Sequence, residues 1–240
     1  MHAAELANRV QAARFVYTED VRYKETLANG TLRGTNWVTY EVTFLEGEPY
    51  NRRVANRGEV LSGEDAEAEE NRYRKVEQYR QQTPFDERRR HYFAAEENRF
   101  KIDTVLVLRY HQARFLGEQP MRGRETWVVE TAPRRGAPKA RRRAESSLDM
   151  KIRYWIDKQT HMPIHMEAEW LRDFDGAPKG GKVISDRVQV DGVWLQQRIV
   201  SQGKRKAGKV YFEYENDQRY SNFKKFQADA KLLLDDRDMH

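Results

Sequence analysis

Residues 150–170, MKIRYWIDKQTHMPIHMEAEW, decide the fold of this chain. Met150, Ile152, Tyr154 and Ile156 alternate with a second set that includes the charged residues Lys151, Arg153 and Asp157, and from Met162 to Trp170 the apolar alternation is repeated. Because successive side chains of a β-strand point to opposite faces, this period of two predicts a hairpin with one apolar face. A register shift of one residue would turn the whole apolar set to solvent, so the pattern constrains the pairing strongly.

Similar alternation occurs on both sides of this hairpin. The segments that show it are 15–27, 38–44, 184–190, 193–199 and 210–214, with a short one near 50–55 and further strands after Arg114. The dipeptides Asn29-Gly30 and Asp191-Gly192 separate two pairs of these segments, and both favour tight hairpin turns.

About nine strands joined mostly by tight turns predict a mainly β (α+β) fold. We expect a curved antiparallel sheet that forms an incomplete β-barrel, with a helical lid inserted at about 62–112 between the early and late strands. Because no linker, repeat or low-complexity tract interrupts the pattern, we expect one domain over 1–226, followed by a tail at 227–240.

Capping signals mark three helices within the insert. Ser62 with Asp65 resembles a capping box, and Thr83-Pro84 is typical of an N-cap followed by proline at the first helical position, with the helix running to about Asn98. Asp103 can cap a third, short helix.

The helices of the insert differ in their apolar content. In the first helix the apolar stripe is Tyr73, Val76 and Tyr79, which is too narrow for a core helix but sufficient for one that lies over another element. In the third, the run from Val105 to Leu108 is apolar on all sides, so we expect it to be buried.

The composition indicates a folded protein with a polar surface. Of the 240 residues 38% are hydrophobic and 34% are charged, but the aromatic share of 11% is too high for a disordered chain. Cysteine is absent, which excludes disulfides and thiolate metal sites. No apolar run approaches the roughly 20 residues of a membrane helix. Met1 to Leu6 lack the pattern of a signal peptide, so the chain is cytoplasmic or a targeting segment has been removed.

The formal net charge of +6 equals the charge of one segment, residues 134–143. We call it the basic segment; its cations are Arg134, Arg135, Lys139, Arg141, Arg142 and Arg143. A solvated loop is one interpretation, and contact with an anionic membrane surface or an acidic envelope protein is the other. A nucleic-acid-binding protein would carry a broader basic face, so no nucleic-acid partner is expected. A second cluster, Lys204-Arg205-Lys206 with Lys209, is typical of a solvated hairpin tip.

Catalytic and metal-binding signatures are scarce. The sequence contains no GxSxG, P-loop, GxGxxG or HExxH motif. His161 and His165 are four residues apart on a predicted strand, about 13 Å, which is too far for one metal ion. Glu167 and Glu169 are expected to be solvated rather than to act as an acid/base pair. We therefore expect no cofactor, no metal and no enzymatic activity.

Several segments resemble the LolA-like family of outer-membrane lipoprotein-sorting proteins of bacterial envelopes. They are Tyr40–Ala55, Gly58–Ser62, Arg114–Glu118, Glu130–Arg134, Tyr154–Lys158 and Asp191–Leu195. The resemblance covers roughly 15–226 and lies in the order and spacing of these short motifs. It implies an incomplete antiparallel barrel with a helical lid, a periplasmic location after removal of a signal peptide, and a cavity for acyl chains. This chain is more charged, with a larger helical insert and its own basic segment.

Two functions follow as expectations. The first is a non-enzymatic periplasmic carrier or sensor that binds lipid or lipoprotein acyl chains, as in outer-membrane lipoprotein sorting. The second is an envelope protein-interaction or scaffold module with a packed core and no ligand. For the first, the predicted cavity-lining residues are Val38, Tyr40, Phe44, Tyr73, Val76, Tyr79, Val105, Leu108, Ile152, Tyr154, Ile156, Ile164, Met166, Val188, Leu195 and Phe212.

Overall fold

A computed structural model describes residues 1–97, 103–174, 177–207 and 210–226. The strands are β1 (Phe15–Leu27), β2 (Leu32–Leu45), β3 (Glu48–Asn56), β4 (Glu59–Val60), β5 (His111–Met121), β6 (Arg124–Pro133), β7 (Met150–Asp157), β8 (Pro163–Trp170), β9 (Lys182–Val190), β10 (Val193–Ala207) and β11 (Val210–Lys225). The helices are α1 (His2–Ala12), α2 (Gly63–Gln82), α3 (Phe85–Glu97) and α4 (Thr104–Tyr110), with a 3₁₀ helix at Arg143–Asp149.

In the described residues, eleven strands form one antiparallel sheet in the order β4-β3-β2-β1-β11-β10-β9-β8-β7-β6-β5. The first and last long strands, β1 and β11, pair from Phe15 opposite Lys225 to Leu27 opposite Phe212, which joins the early strands to the late ones. The sheet does not close, because β4 and β5 each have one neighbour. The predicted fold class is therefore confirmed: an open antiparallel sheet with helices inserted between early and late strands. The proposed tail at 227–240 lies outside the described residues.

One face of the late strands carries the main core. Ile152 lies opposite Ala168, Tyr154 opposite Met166, and Ala168 opposite Val183, so these side chains share a face. The buried members of the cluster on this face are Val107, Met150, Ile152, Tyr154, Ala168, Trp170 and Val183. Since Val107 belongs to α4, we call this side of the sheet the α4 face.

Helix α4 begins as the sequence predicts but is buried on one side only. The carboxylate of Asp103 accepts hydrogen bonds from the backbone N–H groups of Val105 and Leu106, which confirms the predicted cap. Val107 is buried, whereas the exposed fractions of Val105 and Leu108 are 51% and 57%. The expectation that the whole run is buried was wrong, because a seven-residue helix on a sheet presents only one side to it.

Helices α2 and α3 are attached to the hairpin of β2 and β3 mainly by arginines. Arg80 donates to the carbonyl oxygens of Leu45, Glu48 and Pro49 at 2.9–3.1 Å, and Arg88 donates to the carbonyl oxygen of Glu46 at 3.0 Å. These bonds attach both helices to the backbone of the β2–β3 turn.

Two capping details differ from the sequence prediction. Ser62 is the N-cap residue of α2, but its side chain makes no capping hydrogen bond, so the predicted capping box is absent. Helix α3 begins at Phe85, one residue after Pro84, and its predicted end at Asn98 lies outside the described residues.

Helix α1, which the sequence analysis did not predict, covers an unpaired edge inside the sheet. Strand β10 pairs with β11 only from Arg198 onward, so the backbone of Trp194 lacks a partner strand on that side. The side chain of Asn8 takes the place of the missing partner strand. Its Nδ2 donates to the Trp194 carbonyl at 2.7 Å, and its Oδ1 accepts from the Trp194 N–H at 2.8 Å. Glu5 of the same helix binds Arg187 on β9 and Thr104 on α4.

The helices of the described part of the chain include none that is long and apolar enough to cross a membrane.

We expect Asn8→Ala to lower the free energy of unfolding by about 1 to 3 kcal/mol, because it leaves both backbone groups of Trp194 without a protein partner. Urea denaturation would measure the change. The matched control is Gln11→Ala, an exposed position on the same helix, where we expect a change within about 0.5 kcal/mol. Equal effects of the two substitutions would contradict the role assigned to Asn8.

Candidate functional site

A pocket of about 210 Å³ opens on the α4 face of the sheet. Its lining residues are Arg143, Trp170, Phe174, Ala177, Val183, Ser201 and Tyr214. Three of the seven are aromatic and two are aliphatic, so the wall is mainly apolar. We call this cavity the aromatic pocket.

Residues aligned across four strands, β8 to β11, form the floor of the aromatic pocket. Val183 on β9 lies opposite Ser201 on β10, and on its other side opposite Ala168 on β8, two residues before Trp170. Tyr214 on β11 lies opposite Gly203, two residues beyond Ser201. Residues two apart on a strand share a face, so the side chains of this set point to the α4 face together.

The connection between β8 and β9 forms one wall. Phe174 and Ala177 exchange backbone hydrogen bonds of 2.9 and 2.8 Å, which hold these two residues side by side. The ring of Phe174 stacks on that of Trp170, with centroids 5.8 Å apart and planes at 29°. An aromatic pair of this kind is held both by burial and by ring electrostatics.

Gly203 permits the same connection to lie close to β10. A Cβ atom at this position would lie 3.0 Å from Cγ of Pro178 and 3.2 Å from a ring carbon of Tyr214. Any larger side chain would therefore push Pro178 or Tyr214 away and reshape the pocket.

Asp149 fixes the basic segment beside the aromatic pocket. Its buried carboxylate accepts two hydrogen bonds of 2.6 Å from Arg172 and one of 3.0 Å from the backbone N–H of Ala140. Arg172 also donates to the carbonyl oxygen of Ala140 at 2.7 Å. These buried bonds connect Arg172, which follows β8, to Ala140 of the basic segment. Arg143, three residues after Ala140, lines the pocket.

The polar residues that line the pocket are positively charged or neutral. Burial raises the pKa of Tyr214, against an opposing effect of the nearby Arg205 charge, so the phenol is neutral at pH 7. The guanidinium carbon of Arg205 lies 5.8 Å from the centre of the Tyr214 ring and 5.5 Å from that of Phe212. Arg143 and Arg205 therefore bring positive charge to the pocket region from two separate segments.

A buried histidine supports the 3₁₀ helix from β5. His111 Nε2 lies 3.0 Å from the carbonyl oxygen of Ser147, and Nδ1 lies 3.2 Å from Oγ1 of Thr131. Since a carbonyl only accepts, Nε2 carries the proton, and in the neutral ring Nδ1 accepts from Thr131. Burial lowers the pKa of His111, with a smaller contribution of the same sign from the charge of Arg134, while the bond to Ser147 opposes both.

The aromatic pocket is not formed by the residues that the sequence analysis selected for a cavity. Ile152 and Tyr154 are packed in the core cluster with Val107, and Ile156 and Met166 lie against that cluster. Val38, Ile164, Leu195 and Phe212 are also buried, with exposed fractions of 2–8%. Tyr40, Phe44, Tyr73, Val76 and Val188 are partly buried, and Tyr79, Val105 and Leu108 are exposed. Whether any of them contacts a ligand stays a prediction.

One assumption behind that selection, a single shared face, was wrong for Val188. Strand β9 keeps a regular register against β8, so Val188 points away from the face of Val183. Val188 lies opposite Leu195, and Leu195 packs with Phe15 in a separate cluster. The extra residue between Gln196 and Arg198 shifts the parity of β10, a β-bulge that alternation alone does not reveal.

All six cations of the basic segment are exposed, but they have different surroundings. Arg134 donates to the carbonyl oxygen of His111, Arg142 pairs with Glu145 at 3.1 Å, and Arg143 lines the aromatic pocket. The side chains of Arg135, Lys139 and Arg141 make no hydrogen bond or ion pair with the part of the chain that the structure describes.

Part of the pocket could have been found from the sequence. Trp170 and Tyr214 continue the alternating pattern of their strands. Phe174 and Ala177 lie in an irregular connection, and Arg143 is one cation among six, so no pattern distinguishes them. Among the described residues, no group of three or more histidine or acidic side chains could hold a metal ion.

The folded state should lose stability as the pH falls through the ordinary pKa of histidine, about 6.5, because the unfolded chain then binds a proton that buried His111 resists. The loss should be smaller in His111→Gln, whose amide can still donate to Ser147. Thermal unfolding between about pH 7 and about pH 5 measures the slope. His91→Gln, at an exposed position, is the control, and an unchanged slope in His111→Gln would refute the assignment.

Comparison with known proteins gives structural similarity without a sequence match. No protein-family model and no curated protein matches the chain. A DUF1329 family protein from Desulfovibrio piger is 13% identical, with 100% of this chain and 96% of that chain covered and a TM-score of 0.37. A LolA superfamily protein from Nitrosomonas europaea is 10% identical, with 98% of each chain covered and a TM-score of 0.41. The lipoprotein LppX from Mycobacterium tuberculosis is 10% identical, with 96% and 100% covered and a TM-score of 0.31.

Proposed function

We propose that this protein is a non-enzymatic carrier or sensor of lipid or lipoprotein acyl chains in the bacterial periplasm, and that the aromatic pocket receives the apolar chain. One observation carries the proposal: a cavity of about 210 Å³ on the α4 face is walled by Trp170, Phe174 and Tyr214. Its periplasmic part rests on the family resemblance of the sequence motifs and on no contact in the structure.

The chemistry of the pocket favours binding of an apolar group. Each buried CH₂ group contributes about 0.8 kcal/mol, so a chain of eight carbons gains at most about 6 kcal/mol before the costs of association. Ser201 and Tyr214 are the lining residues that carry a hydroxyl, but the lining set includes neither a histidine nor a carboxylate to activate it as a nucleophile. The pocket is therefore suited to hold a chain rather than to cleave it.

A second function, an envelope protein-interaction or scaffold module without a ligand, is favoured by the packing of the rest of the α4 face. Met150 and Ile152 are fully buried, and Val107 of α4 covers the cluster to which they belong. Space that a large ligand would need is occupied by the protein itself at this point. The two functions differ in whether the aromatic pocket is ever filled.

We expect 1-octanol, an uncharged single-chain probe, to bind the wild-type protein and to change its tryptophan fluorescence through Trp170. Ser201→Leu should weaken this binding at least tenfold because the added side chain occupies the pocket. Ser221→Leu, at an exposed position of β11, is the matched control and should bind as the wild type does. Native mass spectrometry of protein purified from its own envelope should in addition show a bound lipid. Failure of the wild type to bind octanol or octanoate, with no lipid co-purified, would favour the scaffold.

The basic segment gives the carrier a second property, attraction to an anionic membrane surface or to an acidic envelope protein. The basic segment is held in place by the hydrogen bond from the Ala140 N–H to the Asp149 carboxylate. Its residues Arg135, Lys139 and Arg141 are exposed and are not part of the core. Exposed cations near an anionic surface contribute on the order of 1 kcal/mol each. This attraction would bring the pocket close to the source of its ligand.

Binding to vesicles that contain anionic lipid should be measurable at low salt and should fade as salt screens the charges. The triple variant Arg135→Ser, Lys139→Ser, Arg141→Ser should lose most of this binding and keep its thermal stability. The control is Lys24→Ser, Lys75→Ser, Lys182→Ser, which removes the same charge from exposed positions elsewhere. Cosedimentation measures the bound fraction, and equal losses in the two variants would show that only the net charge matters.

A further inference from the structure

We infer that the aromatic pocket selects a single-chain amphiphile with an anionic headgroup, held by Arg143 and Arg205. This inference rests on the proposed function and adds the class of ligand to it.

The volume restricts the ligand to one chain. Pockets for drug-sized molecules are usually about 300–1,000 Å³, whereas a dry cavity of about 150 Å³ is large enough for benzene. The aromatic pocket, at about 210 Å³, lies between these values. It accommodates a short stretch of one alkyl chain, and a lipid with two or three chains would have to displace residues of the core cluster.

The charges around the pocket favour an anion at its mouth. Arg143 lines the pocket, and Arg205 lies over the ring of the lining residue Tyr214. Both arginines are exposed, so they can meet a headgroup that stays in water while the chain is buried. The seven lining residues include no carboxylate that would repel an anion.

The geometry of arginine agrees with this class of headgroup. A guanidinium offers several N–H donors in one plane, which match the oxygens of a carboxylate or a phosphate. Two arginines from separate segments, the 3₁₀ helix and β10, can approach one headgroup from different directions. The shared chemistry is therefore an anionic oxygen group on one alkyl chain.

The basic segment extends the same preference beyond the pocket. Arg143 is its last cation, and the buried bonds among Asp149, Arg172 and Ala140 hold its end beside the pocket. A row of cations that ends at an apolar cavity attracts anionic amphiphiles and repels cationic ones. Attraction of the ligand and the Arg143 part of headgroup recognition thus come from one continuous stretch of sequence.

Four eight-carbon probes that differ in headgroup distinguish the contribution of the headgroup to binding from that of the chain. They are octanoate, octyl phosphate, 1-octanol and octyltrimethylammonium. Calorimetric titration at low salt should give octanoate or octyl phosphate at least fivefold tighter binding than octanol, and octyltrimethylammonium the weakest binding. The tighter of the two anions identifies the headgroup as a carboxylate or a phosphate. The preference for anions over octanol should shrink at high salt.

The variants Arg143→Gln and Arg205→Gln should each lower the affinity for the preferred anion at least threefold and leave the affinity for octanol unchanged. Lys182→Gln, an exposed cation outside the pocket, is the control and should change neither affinity. Circular dichroism would verify that each variant is folded. Octanol that binds as tightly as both anions, or variants that leave anion binding unchanged, would overturn this inference while the proposed function stands. Absence of binding by all four probes would instead overturn the proposed function.

Discussion

An open sheet of eleven strands has an apolar face that other elements must cover, and the rest of this structure depends on how that is done. Val107 of α4 covers the core cluster of the late strands, and Asn8 of α1 replaces the missing strand beside Trp194. Helices α2 and α3 are attached to the β2–β3 turn by Arg80 and Arg88, which bind backbone carbonyls there. The core cluster includes residues of β7, β8 and β9, and two of them, Trp170 and Val183, also line the aromatic pocket.

The bond between Asp149 and Arg172 connects the buried part of the sheet to the basic segment. A buried carboxylate needs a partner, and here the partner is the arginine that also binds the Ala140 carbonyl. The same contacts therefore satisfy a buried charge and hold the basic segment near the cavity. The charge that is most conspicuous in the sequence thus belongs to the wall and mouth of the pocket as well as to the solvated surface.

The sequence predicts the sheet better than the site, for a physical reason. Alternation in β7 and β8 and the Asp103 cap of α4 are local signals, and both are confirmed. Leu195 lies on the face opposite that of Ile199 because a bulge changes the parity within β10, and Val188, which is paired with Leu195, lies on that same face. The pocket depends on Phe174, which lies in an irregular connection whose path follows from contacts with distant residues such as Trp170.

The central claim is that an alkyl chain enters the aromatic pocket while the remainder of the α4 face stays packed. A crystal structure of the protein with 8-bromooctanoate tests it most directly, because the anomalous signal of bromine locates the end of the chain. We predict the bromine among Trp170, Phe174 and Tyr214, with the carboxylate toward Arg143. Bromine beside Tyr73, between α2 and β3, or at no single site would contradict the account.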